Sequence, residues 1–168
     1  MLINKIRRKI NKKKVNSTIK EIERYFGFLY EKGFKIRYTE YSTHISGNWV
    51  IEFASNNCTI YIINDRKYIS IDFSPVENSL SGDRFDINNL FDLGTMIYYL
   101  NKGKIEIGGF RWKLNYQKRK HLQRLSELLE KHIDDITPYF DDNFETHKDD
   151  LIDARIEYIE RFLPKKVR

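Results

Sequence analysis

Cysteine is nearly absent from this chain: Cys58 stands alone among 168 residues. One thiol cannot close an internal disulfide, which excludes a disulfide-scaffolded secreted domain. Cys58 opens an apolar stretch, where a free cysteine behaves as a small hydrophobe. The N-terminus, M-L-I-N-K-I-R-R-K-I-N-K-K-K, lacks an uninterrupted apolar stretch of signal-peptide length. No segment reaches the apolar length of a membrane span. The chain therefore reads as soluble and cytoplasmic. It also lacks internal repeats and long linkers. Its three prolines, Pro75, Pro138 and Pro164, each follow the expected end of an element.

What is present is aromatic. Eleven Phe, eleven Tyr and two Trp supply a core that needs neither metal nor disulfide, since a domain of this size hides roughly 70% of its unfolded surface. Four strand-like stretches lie between residues 34 and 73: F-K-I-R-Y-T-E-Y at 34–41, W-V-I-E-F at 49–53, C-T-I-Y-I-I at 58–63 and Y-I-S-I-D-F at 68–73. Alternation places Phe34, Ile36 and Tyr38 on one face of the first, Trp49, Ile51 and Phe53 on one face of the second, and Ile69, Ile71 and Phe73 on one face of the fourth. The third is apolar on both faces and reads as the most covered. Short connections, including the turn Asn64-Asp65-Arg66-Lys67, predict antiparallel neighbours.

Helical spacing flanks these strands. Ile19, Ile22, Phe26 and Leu29 predict a helix at about 17–32, with Thr18 and Glu21 as a capping box and Gly33 as its stop. Asp86 can cap a second helix at about 87–101. Residues 104–114 read as a short hairpin or a loop. Asn115 can cap a third helix to about 136, striped by Leu122, Leu125, Leu128 or Leu129, and Ile133. A fourth starts near 147, with Leu151, Ile152, Ile156, Ile159 and Phe162 as its apolar side. The expectation is α+β: a four-stranded antiparallel meander with helices packed on one face and a C-terminal helical pair. Residues 15–164 form one domain, preceded by a basic segment at 1–14 and followed by a basic tail at 165–168.

The net charge of +6 is unevenly spread. Residues 1–20 hold eight Lys or Arg and no acid; residues 134–160 hold ten Asp or Glu against two bases. Lys5, Arg7, Arg8, Lys9, Lys12, Lys13 and Lys14 could neutralise phosphates of a nucleic acid. Leu2, Ile3, Ile6 and Ile10 share a helical face, which also suits an anionic membrane surface. No zinc-finger spacing or recognition-helix pattern accompanies the charge. Asp141, Asp142, Glu145, Asp149, Asp150 and Asp153 form an acidic cluster without the ligand spacing or glycine of a calcium loop. It suits a basic protein partner, whose encounter charge complementarity would speed. The polar sheet face, with Lys35, Arg37, Glu52, Ser70 and Asp72, is a second candidate docking surface.

Catalytic signals are sparse. Glu52, Asp65 and Lys67 resemble in order the acid and Asp-x-Lys of restriction-endonuclease-like cores, and metal-assisted hydrolysis would need them to converge. Asp65 falls instead in an expected turn. His44, His121, His132 and His147 show no metal-ligand spacing. His44 and Cys58 could meet as base and nucleophile, but no orienting group or glycine-rich elbow accompanies them. No cofactor is implied.

The runs N-W-V-I-E-F, C-T-I-Y-I-I-N-D-R-K-Y-I-S-I-D-F and F-D-L-G-T-M-I-Y-Y-L resemble those of small bacterial α+β proteins, some of which accompany polymorphic toxins as immunity proteins. The resemblance spans roughly residues 20–115 and carries no catalytic residues. It implies a non-enzymatic protein-binding domain that neutralises a toxin. The alternatives are a nucleic-acid-associated protein using the basic segment and, third, a metal-dependent nuclease.

Overall fold

The computed structural model describes residues 2–41, 48–65, 68–82, 85–104 and 118–162, the side chains of residues 2–13 and 118 excepted. His44, Lys67, the stretch 105–117 with its expected hairpin or loop and the Asn115 cap, and the tail 165–168 lie outside the described residues.

The fold is α+β, built on an antiparallel meander. Strands β1 (Lys35–Tyr41), β2 (Trp49–Ala54), β3 (Thr59–Asp65), β4 (Tyr68–Ser74) and β5 (Phe91–Asp92) lie side by side in chain order. Five strands stand where four were expected. The addition is two residues long and pairs Asp92 with Asp72 and Phe91 with Phe73. Its origin is a double cap. The Asp86 side chain accepts from Asn88 N and holds only one 3₁₀ turn, Ile87–Asn89, before Leu90 turns extended. Asp92 then accepts from Thr95 N at 3.1 Å and from Thr95 Oγ1 at 2.6 Å, and starts helix α3 (Leu93–Leu100). Asp86 and Asp92 are equally good caps in sequence, so the helix expected from 87 begins six residues later.

The alternation expected for β1 fails at one residue. Ile36 pairs with Phe53 and Tyr38 with Glu52, so Arg37 is the extra residue of a β-bulge. A bulge reverses the facing of everything beyond it. Tyr38 therefore leaves the apolar face, joins the row of Glu52, and donates to Glu40 Oε2 at 3.0 Å. In β3 the expectation holds: Thr59, Ile60, Tyr61 and Ile62 are all buried.

Helix α1 (Leu2–Phe26) is longer than expected and crosses residue 14 unbroken. Nothing before Gly27 breaks it, and Thr18 and Glu21 fall within it rather than at its start. At Gly27 a Cβ would lie 2.8 Å from the Glu23 carbonyl oxygen. The single turn α2 (Phe28–Glu31) follows. It ends at Gly33, whose φ of 84° needs glycine, with Phe34 N donating to Leu29 O. Helix α4 (Lys118–Ile136) buries Leu122, Leu125, Leu129 and Ile133 as the stripe requires. Helix α5 (Phe144–Phe162) starts earlier than its Thr146 cue, after an Asp141 side chain that accepts from Asn143 N. Its buried stripe is Phe144, Leu151, Ala154 and Tyr158; Ile156 and Ile159, expected inside, are 50% and 44% exposed.

One apolar cluster joins these elements. Ile51, Phe53, Ile60, Ile62, Ile71 and Phe73 of the sheet meet Ile22 and Phe26 of α1, Met96 of α3, Leu125 of α4 and Leu151 of α5. On the other sheet face, residues 75–82 and 85–86 lie across β2 and β3, anchored by Asn78. Its amide donates to Asp86 O at 3.0 Å and accepts from Asp86 N at 2.7 Å, which closes that loop on itself.

Candidate functional site

At the bulge in β1, Tyr38 takes the ladder place opposite Glu52, and Arg37 beside it reaches the same carboxylate. Arg37 Nε donates to Glu52 Oε1, its Nη2 to Thr59 Oγ1 at 3.0 Å, and its Nη1 to Val76 O at 2.9 Å. Glu52 has no exposed surface and also accepts from Ser79 Oγ at 2.8 Å and Leu80 N at 2.9 Å. A buried carboxylate needs such pairing and hydrogen bonding. The network staples residues 76–80 to the sheet. Glu52, expected on an exposed docking face, is thus sealed inside. Of its companions, Lys35 is exposed, while Ser70 and Asp72 are part-buried. The sequence pattern showed a polar face but not the loop that covers it.

Glu52 belongs to a row that runs through all five strands: Tyr38, Glu52, Tyr61, Asp72 and Asp92 are successive cross-strand partners. Tyr61 is fully buried, donates to Asn78 O, and meets Phe85 edge-on at 6.0 Å. Burial is the main force that pushes its phenol up to about 12. At the far end, burial and then the Asp92 charge push Asp72 up to about 7, against a pull downward from the Ser70 hydroxyl.

The nuclease arrangement does not assemble. Glu52 is opposite Tyr61, and Asp65 lies four residues further along β3, about 13 Å at strand spacing. Asp65 is exposed and accepts from Asn48 Nδ2. Among the described residues no three His, Cys, Asp or Glu side chains are grouped to hold a metal. Cys58 is fully buried, and that burial raises its thiol, which makes it a poor nucleophile. His132 sits on α4 with its pKa lowered mainly by burial. His147 packs edge-on to Tyr139 at 5.0 Å.

The acidic cluster is split between two settings. Asp149, Asp150 and Asp153 are exposed along α5. Asp141, Asp142 and Glu145 instead border a concavity of about 390 Å³ together with Glu77, Asn56 and Asn57. Three separate segments meet there: the β2–β3 turn, the loop after β4 and the entry to α5. The turn is fixed by Ser55, whose hydroxyl accepts from Asn57 N and Cys58 N. Phe140 and Phe144, also at its border, stack at 5.8 Å, and Phe73 stacks on Phe140 at 5.8 Å. The result is a carboxylate rim over phenylalanine rings, with no Lys or Arg lining it. Lys148 lies near, 3.8 Å from Glu145 and 5.7 Å from the Phe144 ring centre. Glu77 escaped the sequence reading because a single acid in a loop carries no signal of where the loop folds.

The basic residues 5–14 ride on α1. Lys14 lies 5.5 Å over the Tyr41 ring at the end of β1. No described helix is long and apolar enough to cross a membrane. The chain matches no protein-family model, no curated protein and no solved structure.

Proposed function

We propose that this chain is a non-enzymatic protein-binding domain of the immunity type, which docks a basic protein on its acidic side. One observation carries the reading: Glu77, Asp141, Asp142 and Glu145 ring a concavity floored by phenylalanine. Carboxylates offer a Lys or Arg side chain charge-assisted hydrogen bonds, and aromatic faces add cation–π attraction. Asp149, Asp150 and Asp153 extend the same charge along α5 and would steer a cationic partner towards it. A toxin with a positive substrate channel has the complementary chemistry. In this reading the helices pack on one face of the meander, and the C-terminal pair α4 and α5 presents the docking edge.

The test has two arms. Co-expression with toxins encoded beside this gene should restore survival, and the partner should co-purify in low salt and dissociate as salt rises. The triple variant Asp141→Lys, Asp142→Lys, Glu145→Lys should abolish both while leaving the thermal transition in place. Unchanged survival with no partner recovered, or binding indifferent to the triple variant, would refute the reading.

A further inference from the structure

A second cavity, of about 290 Å³, opens where β4, α3, α4 and α5 meet. Strand β5 pairs only with Asp72 and Phe73, so the edge of β4 from Tyr68 to Ile71 has no strand beside it among the described residues. His121 of α4 covers part of that edge, with Nε2 3.3 Å from Ile69 O. A carbonyl only accepts, so Nε2 carries the proton and donates. Ile71, Leu93, Leu125 and Phe162 make the walls apolar, and Ile159 stands at the rim.

The polar group that matters is Tyr158. It is 7% exposed and lines the cavity, yet its hydroxyl has no hydrogen-bond partner among the described residues. Its ring is buried, while its oxygen opens into the cavity, where a ligand can bond it. The chain makes room for that oxygen. A Cβ at Gly94 would lie 2.4 Å from Tyr158 Oη and 3.0 Å from Asp92 Oδ1. Glycine at the second position of α3 thus leaves hydroxyl and carboxylate flanking one open spot. Asp92 is oriented there by its two bonds from Thr95. Asp72 stands beside it on β4. Among the described residues neither acid pairs with a Lys or Arg.

We propose that this cavity binds a small organic amine. The ammonium donates to Asp92 Oδ1 and to the Tyr158 hydroxyl oxygen, and its apolar body lies along Ile71, Leu125 and Phe162. An acid that lines the cavity with no Lys or Arg paired to it among the described residues calls for a cation rather than an anion. The apolar walls, and the want of a third grouped ligand among the described residues, favour an organic cation over a metal ion. The volume sits at the small end of ligand pockets, which run from about 300 Å³ upward, and limits the body to about one ring. This site is separate from the acidic groove and does not depend on the protein-binding reading.

Titration calorimetry of the full chain near neutral pH with 2-phenylethylamine, 2-phenylethanol and 3-phenylpropanoate separates the charge classes on one scaffold. Saturable one-site binding of the amine is expected, at least about tenfold tighter than the alcohol, with none for the carboxylate. Asp92→Asn keeps a competent helix cap and should weaken the amine at least about tenfold. Tyr158→Phe should weaken it severalfold. Ile159→Trp blocks the mouth from an exposed position and should abolish binding at an unchanged melting temperature, which keeps the test sound should Asp92→Asn fail to fold. Absence of amine binding, alcohol or carboxylate binding of equal strength, or amine binding untouched by Ile159→Trp would overturn the proposal.

Discussion

Arg37 and Glu52 form an ion pair between β1 and β2 whose acid is wholly buried while its base remains 28% exposed. The pair spans three segments, because Arg37 also holds Val76 O and Glu52 also holds Ser79 and Leu80. Regular alternation would already set Arg37 across from Glu52; the one-residue bulge gives that ladder place to Tyr38 and leaves Arg37 beside it, in reach of Glu52 and of the loop after β4.

Removing either partner strands the other. Arg37→Ala leaves a carboxylate with no access to water and should cost about 3–5 kcal/mol. Glu52→Ala leaves a cation that can reach solvent and should cost less, about 2–3 kcal/mol. The double variant Arg37→Met, Glu52→Leu should recover much of the loss. Denaturant titrations of the four proteins check this through the coupling energy. Simple additivity of the two single costs would show that the pair does not act as a unit.

Asp72 gives the fold a pH dependence of defined sign. Its folded pKa is raised, from an ordinary value of 3.8 to about 7. Its neutral form therefore favours folding below pH 3.8, and that contribution is lost as pH rises to about 7. Asp72→Asn should accordingly stabilise the protein at pH 8 relative to wild type, by about 1–3 kcal/mol given the residual exposure of the site. At pH 4 the two should be nearly equal. Equal effects of the substitution at both pH values, followed by thermal melts, would contradict the account.

Gly94 tests the crowding at the start of α3. Alanine is the better helix former by about 1 kcal/mol, so a free site would gain. Here the new methyl meets the Tyr158 hydroxyl and its ring carbon, at 2.4 and 2.9 Å. Gly94→Ala should lose about 1–3 kcal/mol through overpacking. A neutral or stabilising result in calorimetry would mean that α5 can move aside.

Periodicity made the meander legible, because Trp49, Ile51 and Phe53, and Ile69, Ile71 and Phe73, alternate cleanly. The stripe of α4 was legible for the same reason, and Gly33 announced its own turn. The rest depended on competition between equals. Asp86 and Asp92 are both caps, and only the register of Phe91 against Phe73 decides that a strand comes between them. The bulge at Arg37 has no sequence mark, since the chain still alternates Lys, Ile, Arg, Tyr. On α5, Ile156 and Ile159 outweigh Ala154 and Tyr158 in hydrophobicity, yet the smaller and more polar pair faces inward, where Tyr158 sits against Gly94. The acidic groove was half visible: Asp141, Asp142 and Glu145 are close in sequence, whereas Glu77 joins them only through the path of the loop. Asp92 and Tyr158, 66 positions apart, could not be associated before the fold brought α5 over the start of α3.

The basic stretch on α1 yields the last prediction. Its cations lie on one unbroken helix with Lys14, whose side chain rests on Tyr41. Helical spacing gathers Lys5, Arg8, Lys9, Lys12 and Lys13 within an arc of about 140°, with Arg7 on the other side, so they can meet phosphates as a stripe of charge without reading base edges. Mixed-sequence duplex DNA should therefore bind at low salt with little sequence preference. Affinity should fall steeply as salt rises, through counterion release. Replacing those six residues with Gln should remove the binding, while the Asp141, Asp142 and Glu145 triple variant should strengthen it slightly, since it subtracts repulsive charge. Fluorescence anisotropy over a salt series measures both. Binding that persists in the Gln variant would place the phosphate contacts elsewhere on the chain. A marked preference for one sequence would demand base contacts that phosphate-facing charge does not supply.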